Sequence, residues 1–162
     1  MKNFSIILGA IILMLFVTLV IWGVYCDNTI AITNYSVNNT KNDAKLKFVV
    51  ITDLHNKEYG EKNADLAELV KEQNPDFIAV CGDMVNRSDP NTTKMKDVLK
   101  KLADIAPTYC CLGNHERDNA AEFGTDFKSE IDSTGAVLLD DEYIKFTKSG
   151  KSVLLSLIHI SE

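Results

Sequence analysis

The first 26 residues constrain this chain more than any other feature of its sequence. Residues 3–26 carry no charged side chain, and residues 4–24 form a nearly continuous run of Ile, Leu, Val, Phe, Met and Trp. A helix of about 20 apolar residues is long enough to cross the hydrocarbon core of a bilayer. We therefore predict a transmembrane signal anchor over residues 1–26, then a polar stalk over residues 27–45 with one short strand at residues 30–35.

The charges that flank the apolar run predict its orientation. Lys2 and the amino terminus precede the run and Asp27 follows it, so the positive-inside rule places the N-terminus in the cytoplasm. The expected location is the cell membrane, crossed once, with everything after Cys26 outside. A cleaved signal peptide and a buried core helix are the alternatives, although the bulky Tyr25 is unlike the small residues of a cleavage site.

The remainder of the chain alternates between strand and helix patterns. Apolar runs predict strands over residues 46–52, 77–81 and 107–112, and helical spacing predicts helices over residues 61–72, 91–105 and 122–133. Further strands are predicted over residues 137–139, 143–146 and from 153 onward, with a hairpin turn at Ser149-Gly150. This order is typical of an α/β fold with a largely parallel sheet.

Composition argues against two other classes of protein. The net charge of −6 does not suit a nucleic-acid scaffold, which needs a clustered basic face. The four cysteines include no C-x-x-C pair, so neither a disulfide framework nor a zinc knuckle is predicted. We expect Cys81, Cys110 and Cys111 to be small buried hydrophobes.

Polar residues follow each of the first three predicted strands. They are Asp53 and His55 after the first, Asp83 after the second, and Asn114 and His115 after the third. The carboxyl ends of parallel strands meet at one edge of a sheet, so these side chains should converge. Positions i and i+2 share a face of an extended segment, so Asp53 and His55 should reach one ion. Carboxylate, imidazole and amide ligands suit divalent ions such as Mn²⁺, Fe²⁺ or Zn²⁺.

The three clusters read D53-L-H55, G82-D-M-V85 and G113-N-H-E116. As a set they resemble the sequence blocks of the calcineurin-like metallophosphoesterase superfamily. The anchor, the stalk and the segment ITDLH are similar to its membrane-anchored bacterial branch. The resemblance implies an α/β fold, here an N-terminal transmembrane helix plus the first half of a four-layer α/β/β/α metallophosphoesterase sandwich.

The resemblance also implies a site with two divalent metal ions. Asp53 and His55 would bind the first metal, Asp83 would bridge both, and Asn114 would bind the second. A bridging carboxylate offsets the repulsion between two ions about 3.5–4 Å apart, and the ions share a hydroxide that attacks phosphorus.

The catalytic residues that the resemblance implies are His115 and Glu116. His115 would contact the substrate phosphate and protonate the leaving oxygen, since histidine is the usual acid at neutral pH. Glu116 would orient or tune His115. Asn86, Arg87 and Arg117 lie close to the motifs and are weaker candidates for substrate binding, and Asn56 is weaker still.

The end of the chain departs from the family pattern. The family has further histidines after its G-N-H-[DE] block, one alone and then a G-H-x-H pair, whereas only His159 remains here. Residues 155–162 match the translation of a widely used transposase sequencing adapter, so we expect an adapter-derived artefact and leave His159 unassigned. Residues 46–154 are then a partial, C-terminally truncated metallophosphoesterase domain, from which we expect weak metal binding and poor activity.

Two functions follow from these expectations. The first, which applies to the intact parent protein, is a metal-dependent phosphohydrolase, a phosphomono- or diesterase, anchored at the outer face of the cytoplasmic membrane. Its substrate would be a lipid-linked or cell-envelope phosphoester, by analogy at the level of the fold. The alternative is a non-catalytic envelope interaction protein, or an inactive remnant that lacks the C-terminal metal-binding histidines.

Overall fold

The computed structural model describes residues 2–37 and 45–157 of the chain. The chain divides into two compact units, Met1–Ser36 and Val37–Glu162. His159 and the rest of residues 158–162 lie outside the described residues, as do residues 38–44 of the predicted stalk.

The first unit is dominated by one helix, α1, over Lys2–Asn28. Within it, Ile6–Asn28 is long and apolar enough to cross a membrane, a property that a signal sequence near the N-terminus shares. The strand predicted over residues 30–35 is wrong, because residues 29–37 carry no regular secondary structure. A single extended segment needs a neighbouring strand to satisfy its main-chain hydrogen bonds, and the described residues offer it none.

The second unit is a mixed α/β fold, as predicted. Its strands are β1 Phe48–Ile51, β2 Phe77–Cys81, β3 Thr108–Cys111, β4 Val137–Leu138, β5 Glu142–Lys148 and β6 Lys151–Leu157. Its helices are α2 Ala64–Glu72, preceded by the 3₁₀ turn Glu61–Asn63, then α3 Thr93–Ile105, α4 Asn114–Phe123 and α5 Phe127–Asp132.

The first four strands form a parallel sheet in the order β1-β2-β3-β4. Each strand pairs with the one that follows it in the chain. The helical segment between two strands therefore carries the chain back to the amino end of the sheet, where the next strand begins beside the previous one. The polar residues that follow β1, β2 and β3 are thereby carried to one edge. The parallel sheet predicted from the alternation of elements is confirmed.

The helix α3 shows why the sequence folds in this way. Met95, Val98, Leu99 and Leu102 recur at helical spacing and are all buried. This face packs against α2 and β3, and burying a side chain such as Leu99 contributes about 1.5–3 kcal/mol. The packed helices hold the parallel strands in register beneath the polar edge.

The helix predicted over residues 122–133 is wrong in its bounds. The chain is helical already from Asn114 and breaks at Gly124, which adopts a left-handed conformation with φ 72° and ends α4. Asp126 then starts α5 by accepting a hydrogen bond from the Ser129 N–H at 3.1 Å. Gly124 and Asp126 are ordinary stop and start signals that the apolar spacing of the segment concealed.

The strands β5 and β6 form a separate antiparallel hairpin. The predicted turn is confirmed, with Ser149 at φ 50° and Gly150 at φ 76°, as tight hairpin turns require. The hairpin contacts the parallel sheet through Phe146, whose ring centroid lies 5.1 Å from that of Phe77. On the same face of the sheet Phe48 is 53% exposed, so the hairpin covers this face only in part.

Candidate metal centre

The loops that follow β1 and β2 run side by side at the polar edge of the sheet. The N–H of Asp53 donates to the carbonyl of Gly82 at 3.2 Å, that of His55 to Asp83 at 2.9 Å, and that of Asn56 to Met84 at 2.9 Å. These bonds extend the β1–β2 pairing beyond the strands themselves. They bring the D-x-H and G-D clusters together, as the strand-end pattern predicted.

The backbone of the D-x-H segment differs from the prediction. Asp53, His55 and Asn56 have φ values of 57°, 46° and 58°, so these three residues are left-handed and the segment is not extended. The alternation argument that placed Asp53 and His55 on one face of an extended chain is therefore wrong. Their side chains nevertheless meet, with 3.5 Å between His55 Nε2 and Asp53 Oδ1. Left-handed non-glycine residues are costly and concentrate at functional sites.

Two glycines let the second and third loops approach closely. A Cβ atom on Gly82, which has φ 75°, would lie 2.5 Å from the main-chain nitrogen of Gly113. A Cβ atom on Gly113 would lie 2.6 Å from the main-chain nitrogen of Asp83. Real Cβ atoms do not approach other atoms so closely, so any side chain at either position would push the loops apart.

His55, Asp83 and His115 form a cluster that could hold a metal ion. One ligand atom from each lies within 4.8 Å of the others, and the two imidazole centroids are 4.4 Å apart. The buried Nδ1 of His55 has no hydrogen-bond partner. Two imidazoles and a carboxylate are a donor set that divalent transition metals accept, so these residues fit such an ion.

Asn114 lies directly against the Asp83 carboxylate. With its amide oriented to satisfy its neighbours, its nitrogen is 2.9 Å from Asp83 Oδ2 and its oxygen accepts a hydrogen bond from Arg87 Nη2 at 3.1 Å. The main-chain N–H of His115 donates to Asp83 Oδ1 at 2.9 Å. Asp83 is therefore the residue around which the second and third clusters are arranged.

His115 is held by the loop that follows Asp83. Its Nδ1 accepts a hydrogen bond from the main-chain N–H of Arg87 at 3.2 Å. A neutral imidazole that accepts at Nδ1 carries its proton on Nε2, an assignment that rests on this hydrogen bond. His115 can therefore offer a proton from Nε2.

Glu116 is buried, and its carboxylate accepts hydrogen bonds from main-chain N–H groups. Oε2 accepts the N–H groups of Asp83 and Gly113, each at 2.8 Å, and Oε1 accepts those of Met84 at 2.7 Å and Val85 at 3.0 Å. These four bonds fix the G-D loop against the first turn of α4. Within the described part of the chain, the hydrogen bonds of this carboxylate go to backbone amides and not to the His115 ring.

The three candidate substrate-binding residues occupy different places. Arg87 lies beside Asn114 and forms an ion pair with Asp118, with 2.8 Å between Nε and Oδ2. Asn86 is exposed on the same loop. Arg117 instead pairs with Asp140 at 2.9 Å, so the structure brings Arg87 to the cluster more directly than Arg117.

Asn119 was not singled out by the sequence and proves to be fully buried beside this loop. Its side chain contacts Asn86, Arg87 and Asp89, more than 29 residues away along the chain. A second link joins the loops, because Asn56 Nδ2 donates to Asp89 Oδ2 at 2.9 Å. The position of Asn119 three residues after Glu116 was the one available signal, since residues so spaced share a helix face.

Two of the cysteines end neighbouring strands. Cys81 and Cys111 are register partners and half-buried, so the prediction of burial is confirmed only for Cys110. A hydrogen bond from the Cys111 thiol lowers the pKa of Cys81 to about 7 against the opposing effect of burial, and the same bond raises that of Cys111. Burial raises the pKa of Cys110 to about 12.

Comparison with known proteins connects this geometry to a family. A family model described as calcineurin-like phosphoesterase matches residues 46–160. The chain is 34% identical over 101 residues to Phosphodiesterase YaeI of Escherichia coli (strain K12), covering 60% of this chain and 37% of that protein. It is 28% identical over 104 residues to the Uncharacterized metallophosphoesterase YkoQ of Bacillus subtilis (strain 168), covering 62% of this chain and 38% of that protein. The chain thus spans less than two-fifths of the length of these curated relatives.

Proposed function

This chain belongs to the calcineurin-like phosphoesterase family, and we propose that it is a metal-dependent phosphohydrolase acting on phosphomono- or diesters. The observation that carries the proposal is the convergence of His55, Asp83 and His115, which offer atoms within 4.8 Å of one another. We take His55 and Asp83 as metal ligands and His115 as the neighbouring proton donor, because its Nδ1 already accepts the Arg87 N–H. These residues follow three separate strands, whose carboxyl ends the parallel sheet brings to one edge.

We assign two divalent ions, of Mn, Fe or Zn, to this edge of the sheet. Asp53 and His55 would hold the first ion, Asp83 would lie between the two, and Asn114 would hold the second. When bound, such a pair of ions supplies an activated water and offsets the charge of the phosphate. The free Nδ1 of His55 supports this assignment. The Asn114 amide lies beside the Asp83 carboxylate, and a half-turn of the amide would direct its oxygen, the atom that binds metals, to the same side.

The chain's own residues supply the remaining steps. His115 donates the proton on Nε2 to the leaving oxygen, since the Arg87 N–H occupies its Nδ1. The Arg87 guanidinium faces Asn114 and can neutralise a phosphate oxygen at the same edge. Asn86 and Arg117 remain weaker candidates for substrate contact.

The N-terminal helix suggests where the reaction takes place. Ile6–Asn28 has the length and composition of a membrane span, and Lys2 before it favours a cytoplasmic N-terminus. The catalytic residues would then face the outside of the membrane. A phosphoester linked to lipid or to the cell envelope is the substrate class that an anchored site reaches best.

Hydrolysis of bis-p-nitrophenyl phosphate and p-nitrophenyl phosphate by the detergent-purified chain tests this proposal. We expect slow, Mn²⁺-dependent turnover, as befits a partial domain, that Asp83→Asn abolishes together with Mn²⁺ binding. His115→Ala should lower kcat by about 10²–10⁴-fold while Mn²⁺ stays bound, because a proton donor is lost and not a ligand. Asp104→Asn, at an exposed position of α3, is the matched control and should behave as the wild type.

Three results would change the proposal. Loss of Mn²⁺ from His115→Ala would make His115 a metal ligand and not the acid. Mn²⁺ binding without turnover of either compound would favour the non-catalytic alternative. A wild-type chain that binds no divalent ion would contradict the metal site itself.

A further inference from the structure

The segment 83–89 contains Asp83 and Arg87 of the candidate site. Its main chain is hydrogen-bonded to side chains on one face of α4. Asn119 Nδ2 donates to the carbonyls of Asp89 at 2.8 Å and of Asn86 and Arg87 at 3.4 Å each. Its Oδ1 accepts a hydrogen bond from Thr125 Oγ1 at 2.8 Å, which fixes the amide in this orientation. Asn119 therefore acts on the second half of the segment, through carbonyl groups.

Glu116 binds the first half of the same segment, and it binds N–H groups where Asn119 binds carbonyl groups. Its carboxylate accepts the N–H groups of Asp83, Met84 and Val85. Glu116 and Asn119 are three residues apart on α4 and both are buried, with 2% and 0% exposure. The buried Glu116 carboxylate thus accepts the N–H groups of residues 83–85, and the buried Asn119 amide donates to the carbonyls of residues 86, 87 and 89.

The second half of the segment sets the position of two groups that would meet the substrate. The Arg87 main-chain N–H orients the His115 ring, and the Arg87 guanidinium faces Asn114. Movement of the carbonyls at positions 86 and 87 would displace both groups. Movement of residues 83–85 would instead displace the Asp83 carboxylate from the metal cluster.

We propose that Asn119 is a positioning residue for phosphate binding, acting through Arg87 and the His115 ring, while Glu116 positions the metal-binding carboxylate of Asp83. This inference rests on the proposed phosphohydrolase function. It assigns the two residues to separable properties of one site, since each holds a different half of the same segment.

The test is the affinity of the full chain for two probes, Mn²⁺ alone and inorganic phosphate added to the Mn²⁺-loaded chain, both by calorimetric titration. Asn119→Asp replaces the donor by an acceptor of the same shape, and we expect at least about tenfold weaker phosphate binding with Mn²⁺ affinity within about twofold. Glu116→Gln should weaken Mn²⁺ binding by at least about tenfold. Asn91→Asp adds the same charge at an exposed position and should change neither affinity.

Thr125→Val provides a milder variant, because it removes only the bond that orients the Asn119 amide. It should weaken phosphate binding in the same direction as Asn119→Asp and serves in its place if that variant does not fold. Equal weakening of both probes by Asn119→Asp and by Thr125→Val, or an effect on neither probe, would overturn the inference.

Amide hydrogen exchange separates this inference from the proposed function. A wild-type chain that binds neither probe contradicts the proposed function, and exchange then decides the positioning role alone. Asn119→Asp should speed exchange at Asp89 and Asn91 while the amides of Asp83, Met84 and Val85 stay slow. Unchanged exchange at Asp89 and Asn91, or faster exchange throughout residues 83–91, would contradict a local role for Asn119.

Discussion

The two ends of the parallel sheet are each tied by a carboxylate, but the two carboxylates lie in different surroundings. At the carboxyl end, Glu116 is 2% exposed and accepts four main-chain N–H groups. At the amino end, the Asp76 side chain is 16% exposed and accepts the Lys47 N–H at 2.8 Å and the Lys148 ammonium. The buried Glu116 carboxylate binds the loops of the candidate site, whereas the partly solvated Asp76 carboxylate binds Lys47, just before β1, and Lys148 in the hairpin.

The difference in burial decides what each carboxylate contributes. Water can replace the partners of Asp76 when they are lost, because the group is already in contact with solvent. Water has little access to the amides of Met84 and Val85 and only partial access to those of Asp83 and Gly113. An amide that stays without an acceptor costs about 1–3 kcal/mol. The residues that could hold metal are therefore supported by the hydrogen bonds of Glu116, which water replaces less readily than those of Asp76.

Removal of the buried carboxylate should have the largest effect. Glu116→Ala leaves four main-chain N–H groups without acceptors, and we expect a loss of about 3–5 kcal/mol in the free energy of unfolding. Urea unfolding of the detergent-solubilised chain, followed by circular dichroism, measures this loss. Glu122→Ala, at an exposed position of the same helix, should cost less than about 0.5 kcal/mol. Equal losses for Glu116→Ala and Glu122→Ala would mean that the buried carboxylate contributes no more to stability than an exposed one, and the contrast with Asp76 would then have no basis.

Neutralising the amino-end carboxylate should have a smaller effect that depends on pH. Burial raises the pKa of Asp76, but the hydrogen bond from Lys148, the Lys47 N–H and the attraction of the ammonium outweigh it, so the pKa lies below 3.8. A folded-state pKa below the unfolded value stabilises the protein above the unfolded pKa, and that contribution disappears as pH falls through the folded value. Asp76→Asn should cost about 1 kcal/mol at pH 7.

The pH dependence provides the control for Asp76→Asn. Between pH 7 and about pH 2, the difference in unfolding free energy between wild type and variant should shrink as Asp76 becomes protonated, with most of the change below about pH 4. A difference that is constant over this range would mean that the Asp76 charge contributes nothing to folding.

Removal of the ammonium should have the smallest effect. The Lys148 side chain is 42% exposed, and an ion pair so accessible to water contributes less than about 1 kcal/mol. We expect Lys148→Met to reduce the free energy of unfolding by that amount at most, and by less still in 0.5 M NaCl. Lys145→Met, at an exposed position of the same hairpin, is the matched control and should cost less than about 0.5 kcal/mol. A loss for Lys148→Met as large as that for Glu116→Ala would reverse the ranking of the two ends.

Several parts of the fold and the site were predictable because their signals are local. Apolar runs gave the strands, helical spacing gave α3, and the Ser149-Gly150 turn followed from residues that tolerate positive φ. The approach of the D-x-H and G-D clusters followed from strand order alone, since the carboxyl ends of parallel strands share an edge. In contrast, the strand predicted over residues 30–35 failed because a strand needs a partner that no local pattern supplies.

By itself, the sequence determined which side chains reach the edge of the sheet and that an apolar segment opens the chain. Only the tertiary structure decided that Asp53 and His55 meet through left-handed backbone, that Glu116 binds main-chain amides, and that Asn119 holds the loop of Arg87. Periodicity and strand order are properties of neighbours along the chain, so a sequence displays them. The spacing of Glu116 and Asn119 places both on one face of α4. It does not identify the loop about 30 residues away that they bind, because that depends on how the layers pack.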